Sequence, residues 1–352
     1  MRSPFSFLTT LAAKQTTDRE GVFSPGRGRS TLANARRPRS GVPMTIHAEV
    51  VTMLATLNAA FPDVTSYEPS KLRALLRNRR APLERLPDMR SVEDLAIDGP
   101  GGDLSIRVYR PHTSSDAIPL VVFAHGGGFV FCDLDSHDEF CRSMAQGVGA
   151  VVVSVDYRLA PEHSAPAAHD DVFAAVEWAA KHAAEYGADP SKIVLAGDSA
   201  GGNLAATVAI AARDRGGPEV AAQVLIYPVI DDDFDTESYR LYGTDHYNTT
   251  TAMKWYWDQY APERRDDVRV IPTRAESFAD LPAAVVVTAE LDPPCSSGDE
   301  YAKLLASAGV PVQHHRFDGL FHGFLTIPSL SLTEPARQKV WAMIREASAV
   351  TR

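Results

Sequence analysis

From residue 119 onward the chain alternates short, almost purely aliphatic runs with longer stretches of helical spacing. PLVVFA, AVVVSVDY, IVLAG, AQVLIYP and AAVVVTAE are too apolar to be strands with one wet face. Between and after them lie SHDEFCRSMAQGVG, opened by Ser136, then PAAHDDVFAAVEWAAKHAAEYG, AGGNLAATVAIAARDR and DEYAKLLASAG. Strands buried on both faces need a layer of helices on each side, and strand–helix alternation supplies it. VPVQHHRF and EPARQKVWAMIREAS extend the pattern by a last strand and a closing helix, and VEDLAI and LSIRVYRP around IDGPGGD read as an entering hairpin. The expected class is α/β, with a mostly parallel central sheet covered by helices on both faces.

Two stretches stand outside this alternation. HAEVVTMLATLNAA, with Thr45 as its cap, and PSKLRALLRNRR, ended by Pro82, read as helices ahead of the sheet. Residues 229–265, acidic in DDDFDTESY and aromatic in MKWYWDQY, interrupt the alternation after AQVLIYP. An insertion of that length in such a sheet is expected to act as a lid.

Charge narrows the function. The formal net charge of −10 opposes the basic face of a nucleic-acid binder and gives no attraction to an anionic bilayer. No stretch reaches the ~18 apolar residues of a spanning helix. Cys132, Cys141 and Cys295 are odd in number and irregular in spacing, so neither a disulfide framework nor a zinc site is expected, and a cytoplasmic location is. Residues 1–43 differ in kind, with eight Arg or Lys against Asp18 and Glu20. SPGRGRS and ARRPRSG carry no apolar periodicity and cannot bury a core. An Arg- and Ser-rich start has the composition of a transit peptide, but the simpler expectation is a disordered or spurious tail with Met44 as the true start. Its removal is then expected to leave melting temperature and turnover unchanged. Thermal unfolding and an activity assay of the truncated chain check this, and a large loss of either overturns it.

The chemistry is written in GDSAGGN, residues 197–203, between the strand IVLAG and the following helix. Gly197-Asp198-Ser199-Ala200-Gly201 fits G-x-S-x-G, a sharp strand-to-helix turn that lifts a serine hydroxyl above the carboxyl end of a sheet. The helix N-terminus that follows favours developing negative charge there. The bare pattern also suits a phosphate loop or a helix cap, so its partners decide. His125-Gly126-Gly127-Gly128, after PLVVFA, offers backbone N–H groups unobstructed by side chains, and the Ala200 N–H adds another. A base is expected last in chain order, at His322 in GLFHGF. His314 and His315 lie within a strand and read as structural, and no spacing makes a metal site of the three histidines. The orienting acid has two candidates in TAELDPP, Glu290 and Asp292; Pro293 stops regular pairing just after Asp292 and favours it as a loop carboxylate.

Taken together, HGGGFV, DYRLAPEHSAPAAHDD, GDSAGGNLA, YPVIDDDFDT, TAELDP and FHGF resemble the hormone-sensitive-lipase-like family of bacterial α/β-hydrolase esterases, in order, over residues 45–350. The resemblance implies a serine carboxylesterase of short-to-medium-chain esters, in a catalytic domain spanning 44–352. It implies a cap built from about 44–85 and 229–265, nucleophile Ser199, acid Asp292 and base His322. It places the oxyanion donors on Gly127, Gly128 and Ala200, with His125 and Gly126 supporting the loop, and implies no cofactor. Phe129, Trp255 and Trp257 are candidate pocket residues, and Glu162 and Asp171 candidate structural supports. Two departures stand out. The family's D-P-L-R-D-E is here Asp292-Pro293-Pro294-Cys295-Ser296-Ser297, without the charged tail, and Cys132 replaces a common glycine.

The expected partner is a small-molecule ester, with no nucleic acid and no membrane segment; a homo-oligomer is compatible with the sequence. A deacetylase or amidase on the same triad is the enzymatic alternative. A small-molecule receptor on a hydrolase scaffold is the alternative of another class, weakened because nucleophile, acid and base are all present.

Overall fold

The computed structural model describes residues 2–3, 46–83, 85–113, 115 and 117–349. The expectation for residues 1–43 therefore falls outside the described residues, apart from Arg2–Ser3, whose backbone pairs antiparallel with Ala81–Pro82. Two helices, α1 (Ala48–Ala60) and α2 (Pro69–Arg79), precede the hairpin of β1 (Ser91–Gly99) and β2 (Gly102–Arg110). Then follow β3 (Ile118–Ala124), α3 (Asp138–Val148), β4 (Val151–Val155), α4 (Ala167–His182), β5 (Ala188–Asp198), α5 (Ala200–Asp214) and β6 (Ala222–Ile226). After α6 (Glu237–Tyr242) and α7 (Thr250–Tyr260) come β7 (Ala283–Leu291), α8 (Cys295–Ser307), β8 (Val312–Phe321) and α9 (Thr333–Ser348).

The eight strands form one sheet in the order β8-β7-β6-β5-β3-β4-β2-β1. From β4 to β8 every pairing is parallel; only β1 and β2 run against their neighbours. Alternate residues of each strand feed two cores. Leu120, Val122 and Leu195 face the core that α4 and α5 cover, while Val121, Phe123 and Val194 face the core that holds Phe140 of α3 and Trp341 of α9. This is the expected α/β architecture, and it sets the carboxyl ends of β3, β5, β7 and β8 along one rim.

Several boundaries differ from the sequence reading, three of them at helix starts. Thr45 lies outside the described residues; α1 is capped by His47, whose ring accepts from the Glu49 N–H at 3.4 Å. The helix expected from Ser136 starts at Asp138, because Ser136 is used by the turn before it: its N–H donates to Asp133 Oδ1 at 2.9 Å and its hydroxyl to the Asp133 carbonyl at 2.6 Å. Helix α8 opens at Cys295, directly after Pro294, ahead of the DEYAKLLASAG read from the sequence. Proline suits the edge of a helix, since its missing N–H leaves no bond unmade there.

The two stretches outside the sheet meet each other. The Asn58 side chain of α1 donates to the Asp245 carbonyl at 2.7 Å and accepts from the Tyr247 N–H at 2.8 Å, and the Phe61 and Tyr247 rings pack edge to face at 5.1 Å. Arg73 of α2 donates to Glu162 and to the carbonyls of Val130 and Ala160, tying this layer to the segment after the glycine loop. Asp171 holds the Arg158 guanidinium at 2.8 Å and its backbone N–H at 2.9 Å.

Candidate active site

Ser199 stands between the last residue of β5 and the first of α5, with φ 55° and ψ −116°. A side chain in that left-handed region is strained, and strain of this kind is characteristic of functional turns. The glycines around it answer to sterics. A Cβ on Gly201 would lie 1.9 Å from the Ala124 carbonyl oxygen, and one on Gly197 would lie 2.1 Å from the Gly201 oxygen. Strand β3 and the first turn of α5 thus approach so closely that only hydrogen fits. The elbow is held from β6 by the Ser199 N–H to the Ile226 carbonyl at 2.8 Å, and from α5 by the Asn203 side chain, which donates to the Val229 and Val270 carbonyls at 2.9 Å each.

Three side chains from three strand ends converge. His322 follows β8, and its Nε2 lies 2.8 Å from Ser199 Oγ. Its Nδ1 lies 2.7 Å from Asp292 Oδ2, immediately after β7. A carboxylate oxygen can only accept, so Nδ1 carries a proton and Nε2 is left to accept the serine hydroxyl proton. Ser199 and His322 are 8% and 7% exposed, open enough for a small reactant, while Asp292 is 1% exposed. Burial pushes the Asp292 carboxyl up, and the neighbouring His322 pulls against that rise.

The competing carboxylates are occupied elsewhere. Glu290 accepts from the Gly319 N–H at 2.8 Å and braces the bulged end of β8. Asp299 binds Thr288 at 2.7 Å and His314 at 2.9 Å. His315 packs edge to face on Phe317 at 4.4 Å. Among the described residues no three His, Cys, Asp or Glu side chains are placed to hold a metal. The altered tail after Asp292 is braced by hydroxyls: Ser238 of α6 donates to the Pro293 carbonyl at 2.5 Å and accepts from the Ser296 N–H at 3.0 Å, and Ser297 donates to Asp231 at 2.9 Å.

The glycine loop follows β3. Gly127 has φ 120°, and a Cβ there would sit 2.2 Å from the Phe131 carbonyl oxygen, so only glycine fits. Among the described residues no protein acceptor takes the Gly127 or Gly128 N–H, and Ala200 N is the first amide of α5, an orphan by helix geometry. Behind the loop His125 is fully buried; burial and then His137 bring it down to about 4, so the ring is neutral. Its Nδ1–H donates to the Gly126 carbonyl at 2.7 Å, its ring stacks on Tyr157 at 4.3 Å, and the Tyr157 hydroxyl donates to its carbonyl at 2.7 Å. Cys132 has φ 76°, the conformation for which glycine is suited, and burial pushes its thiol up to about 12, so it stays protonated.

The candidate pocket aromatics differ in their surroundings. Trp257 is fully buried, and Phe129, with φ 63°, stacks on Tyr260 at 3.8 Å and packs on Trp257 at 5.7 Å. These rings pack α7 against the segment that follows the glycine loop. Trp255 is half-buried and meets Tyr256 edge to face at 5.7 Å. The ring against the glycine loop is Tyr256, 2.5 Å from where a Gly128 Cβ would be, with Phe131 at 5.7 Å beside it. Tyr227, whose ring centre is 5.0 Å from that of His322, is not among the candidate site residues read from the sequence.

Comparison with known proteins agrees with this architecture. A family model described as alpha/beta hydrolase fold matches residues 121–326. Esterase LipI of Mycobacterium tuberculosis is 46% identical over 244 residues, 68% of this chain and 76% of the relative. Ethyl acetate hydrolase of Pseudomonas putida is 35% identical over 247 residues, 68% of this chain and 77% of the relative. The crystal structure of a thermostable esterase from Pseudomonas putida superposes with a TM-score of 0.82 at 32% identity, over 89% of this chain and all of that one. On family match, sequence identity and architecture alike, the chain belongs to the hormone-sensitive-lipase-like esterases of the α/β-hydrolase fold.

Proposed function

We propose that this carboxylic ester hydrolase uses Ser199 as nucleophile, His322 as general base and acid, and Asp292 as the group that orients His322. The observation that carries the reading is the unbroken chain of hydrogen bonds from Asp292 through His322 to Ser199, at 2.7 and 2.8 Å. His322 Nε2 takes the hydroxyl proton as Ser199 Oγ bonds to the ester carbonyl carbon. The carbonyl oxygen, now negative, is held by the N–H groups of Gly127, Gly128 and Ala200. As the carbonyl re-forms, the ester C–O bond breaks and the alcohol leaves with the proton from His322. Water then gives a proton to the same nitrogen as its oxygen bonds to the acyl carbon; the bond to Ser199 Oγ breaks, His322 returns the proton to that oxygen, and the acid is released. A cytoplasmic setting is part of the proposal, supported by three buried cysteines that are all free.

The substrate class is proposed to be esters of short to medium acyl chains, roughly C2 to C8. Two observations support it: the Tyr256 ring closing over Gly128, and the relative named for ethyl acetate. The test is a series of p-nitrophenyl esters of rising chain length, with emulsified long-chain triglycerides as the contrary substrate. Best turnover on the triglycerides overturns the size limit, and no hydrolysis of any ester overturns the activity. In the same series Tyr256→Ala is expected to raise the octanoate-to-acetate ratio of kcat/KM by about tenfold or more, since each methylene accommodated is worth 1–3 kcal/mol. An unchanged ratio removes Tyr256 from the pocket.

A further inference from the structure

We propose that Asp198 is a positioning residue whose carboxylate ties the nucleophile turn to the glycine loop and so sets the oxyanion donors. The inference rests on the roles given above to Ser199, Gly127 and Gly128, none of which uses Asp198. A carboxylate directly before the nucleophile needs a reason. It is 4% exposed, and a buried negative charge close to a forming oxyanion works against catalysis unless it does something else there.

Its contacts supply the reason. Asp198 Oδ1 accepts from the Gly126 N–H at 2.7 Å. Gly126 lies flat on the same carboxylate: a Cβ on it would be 2.6 Å from Oδ2 and 3.0 Å from the Asp198 carbonyl oxygen. On the far side His137 Nε2 lies 3.3 Å from Oδ1, and His137 Nδ1 is 2.8 Å from the Ser136 hydroxyl. Burial would raise the carboxyl, but His137, the Gly126 N–H and His125 outweigh it and hold it below the ordinary carboxylate value.

The need for such a tie follows from topology. Strands β3 and β5 are paired as far as Ala124 opposite Gly197, and beyond that point the sheet no longer fixes one chain against the other. The serine leaves on one chain and the glycine N–H groups on the other. Oxyanion donors act over tenths of an ångström, and they are useful only if their position relative to Ser199 Oγ is preset. Asp198 is covalently next to Ser199 and hydrogen-bonded next to Gly127, so it carries the register of the sheet into the site.

The test uses the full chain and Asp198→Ala, Asp198→Asn and Gly126→Ala. Asparagine keeps an oxygen that can accept from Gly126 while losing the charge; alanine removes the tie; a Cβ on Gly126 pushes it apart. The readouts are kcat and KM on p-nitrophenyl butyrate and the inhibition constant of a trifluoromethyl ketone, whose adduct carries an oxyanion. Asp198→Ala is expected to lose about 10²-fold in kcat, the scale of a lost oxyanion donor. KM should hold within about threefold and the ketone weaken in proportion to kcat, the pattern of a lost transition-state interaction. Asp198→Asn should recover most of the loss. A folded Asp198→Ala with kcat within about threefold of the parent, or one whose KM rises while the ketone binds unchanged, overturns the proposal. If Asp198→Ala does not fold, Gly126→Ala decides by the same criteria. A phosphonate that fails to label Ser199 in the unaltered protein would instead sink the underlying assignment of the nucleophile.

Discussion

Ser199→Ala is expected to lower ester turnover by about 10⁴-fold or more while leaving the protein folded. The substitution removes one oxygen from an 8% exposed position, and with it the 2.8 Å contact to His322 Nε2. Nothing else in the turn depends on the hydroxyl: the Ser199 N–H to Ile226 and the Asn203 bonds beyond it are made by other atoms. Alanine bears the same Cβ in the same left-handed conformation, so the strain is neither added nor relieved. The lost hydrogen bond is worth about 1 kcal/mol, which moves the melting temperature of a domain this size by no more than about 3 °C. The activity loss is far larger because nucleophile and base act as a unit; once either is gone, only binding and oxyanion stabilisation remain. Near-normal turnover in a preparation free of contaminating esterase overturns the mechanism.

Asp292→Asn is expected to lose up to about 10⁴-fold in kcat, with Glu290→Gln and Asp299→Asn each retaining at least about a tenth of the parent turnover. The reason is the tautomer of His322. With a carboxylate 2.7 Å away, Nδ1 must be the protonated nitrogen. A carboxamide can offer its NH₂ to Nδ1, which moves the ring proton to Nε2 and leaves no lone pair for the serine. Glutamine at 290 can still accept from Gly319 through its oxygen, and asparagine at 299 still meets Thr288 of β7 and His314 of β8. Steady-state kinetics of the three variants, with far-ultraviolet circular dichroism for folding, decide it. An active Asp292→Asn beside an inactive Glu290→Gln or Asp299→Asn reassigns the acid.

The sheet and the serine turn were legible because each is specified by neighbours in sequence. Aliphatic runs demand burial on both sides whatever their partners are, and the turn at Ser199 demands hydrogen in place of Cβ at Gly197 and Gly201. His322 followed from chain order, and Asp292 from the proline that ends its strand. Helix boundaries were less legible. Ser136 has the chemistry of a cap but spends its hydrogen bonds on the turn at Asp133, and no local signal separates the two uses.

What the tertiary structure alone decided is which groups face one another. Trp255, Tyr256 and Trp257 are consecutive on α7, about 100° apart around the helix axis, and all three suit a pocket by composition. Only the docking of α7 turns Tyr256 toward Gly128 and sends Trp257 into the core. In the same way Asp198 and Gly126 are 72 residues apart, and their hydrogen bond exists because β3 and β5 lie side by side in the sheet. Steric demands on a single turn are written into adjacent residues. The phase of a docked helix and the contact between two strand ends depend on the sum of packing across the whole molecule, which no short stretch of sequence contains.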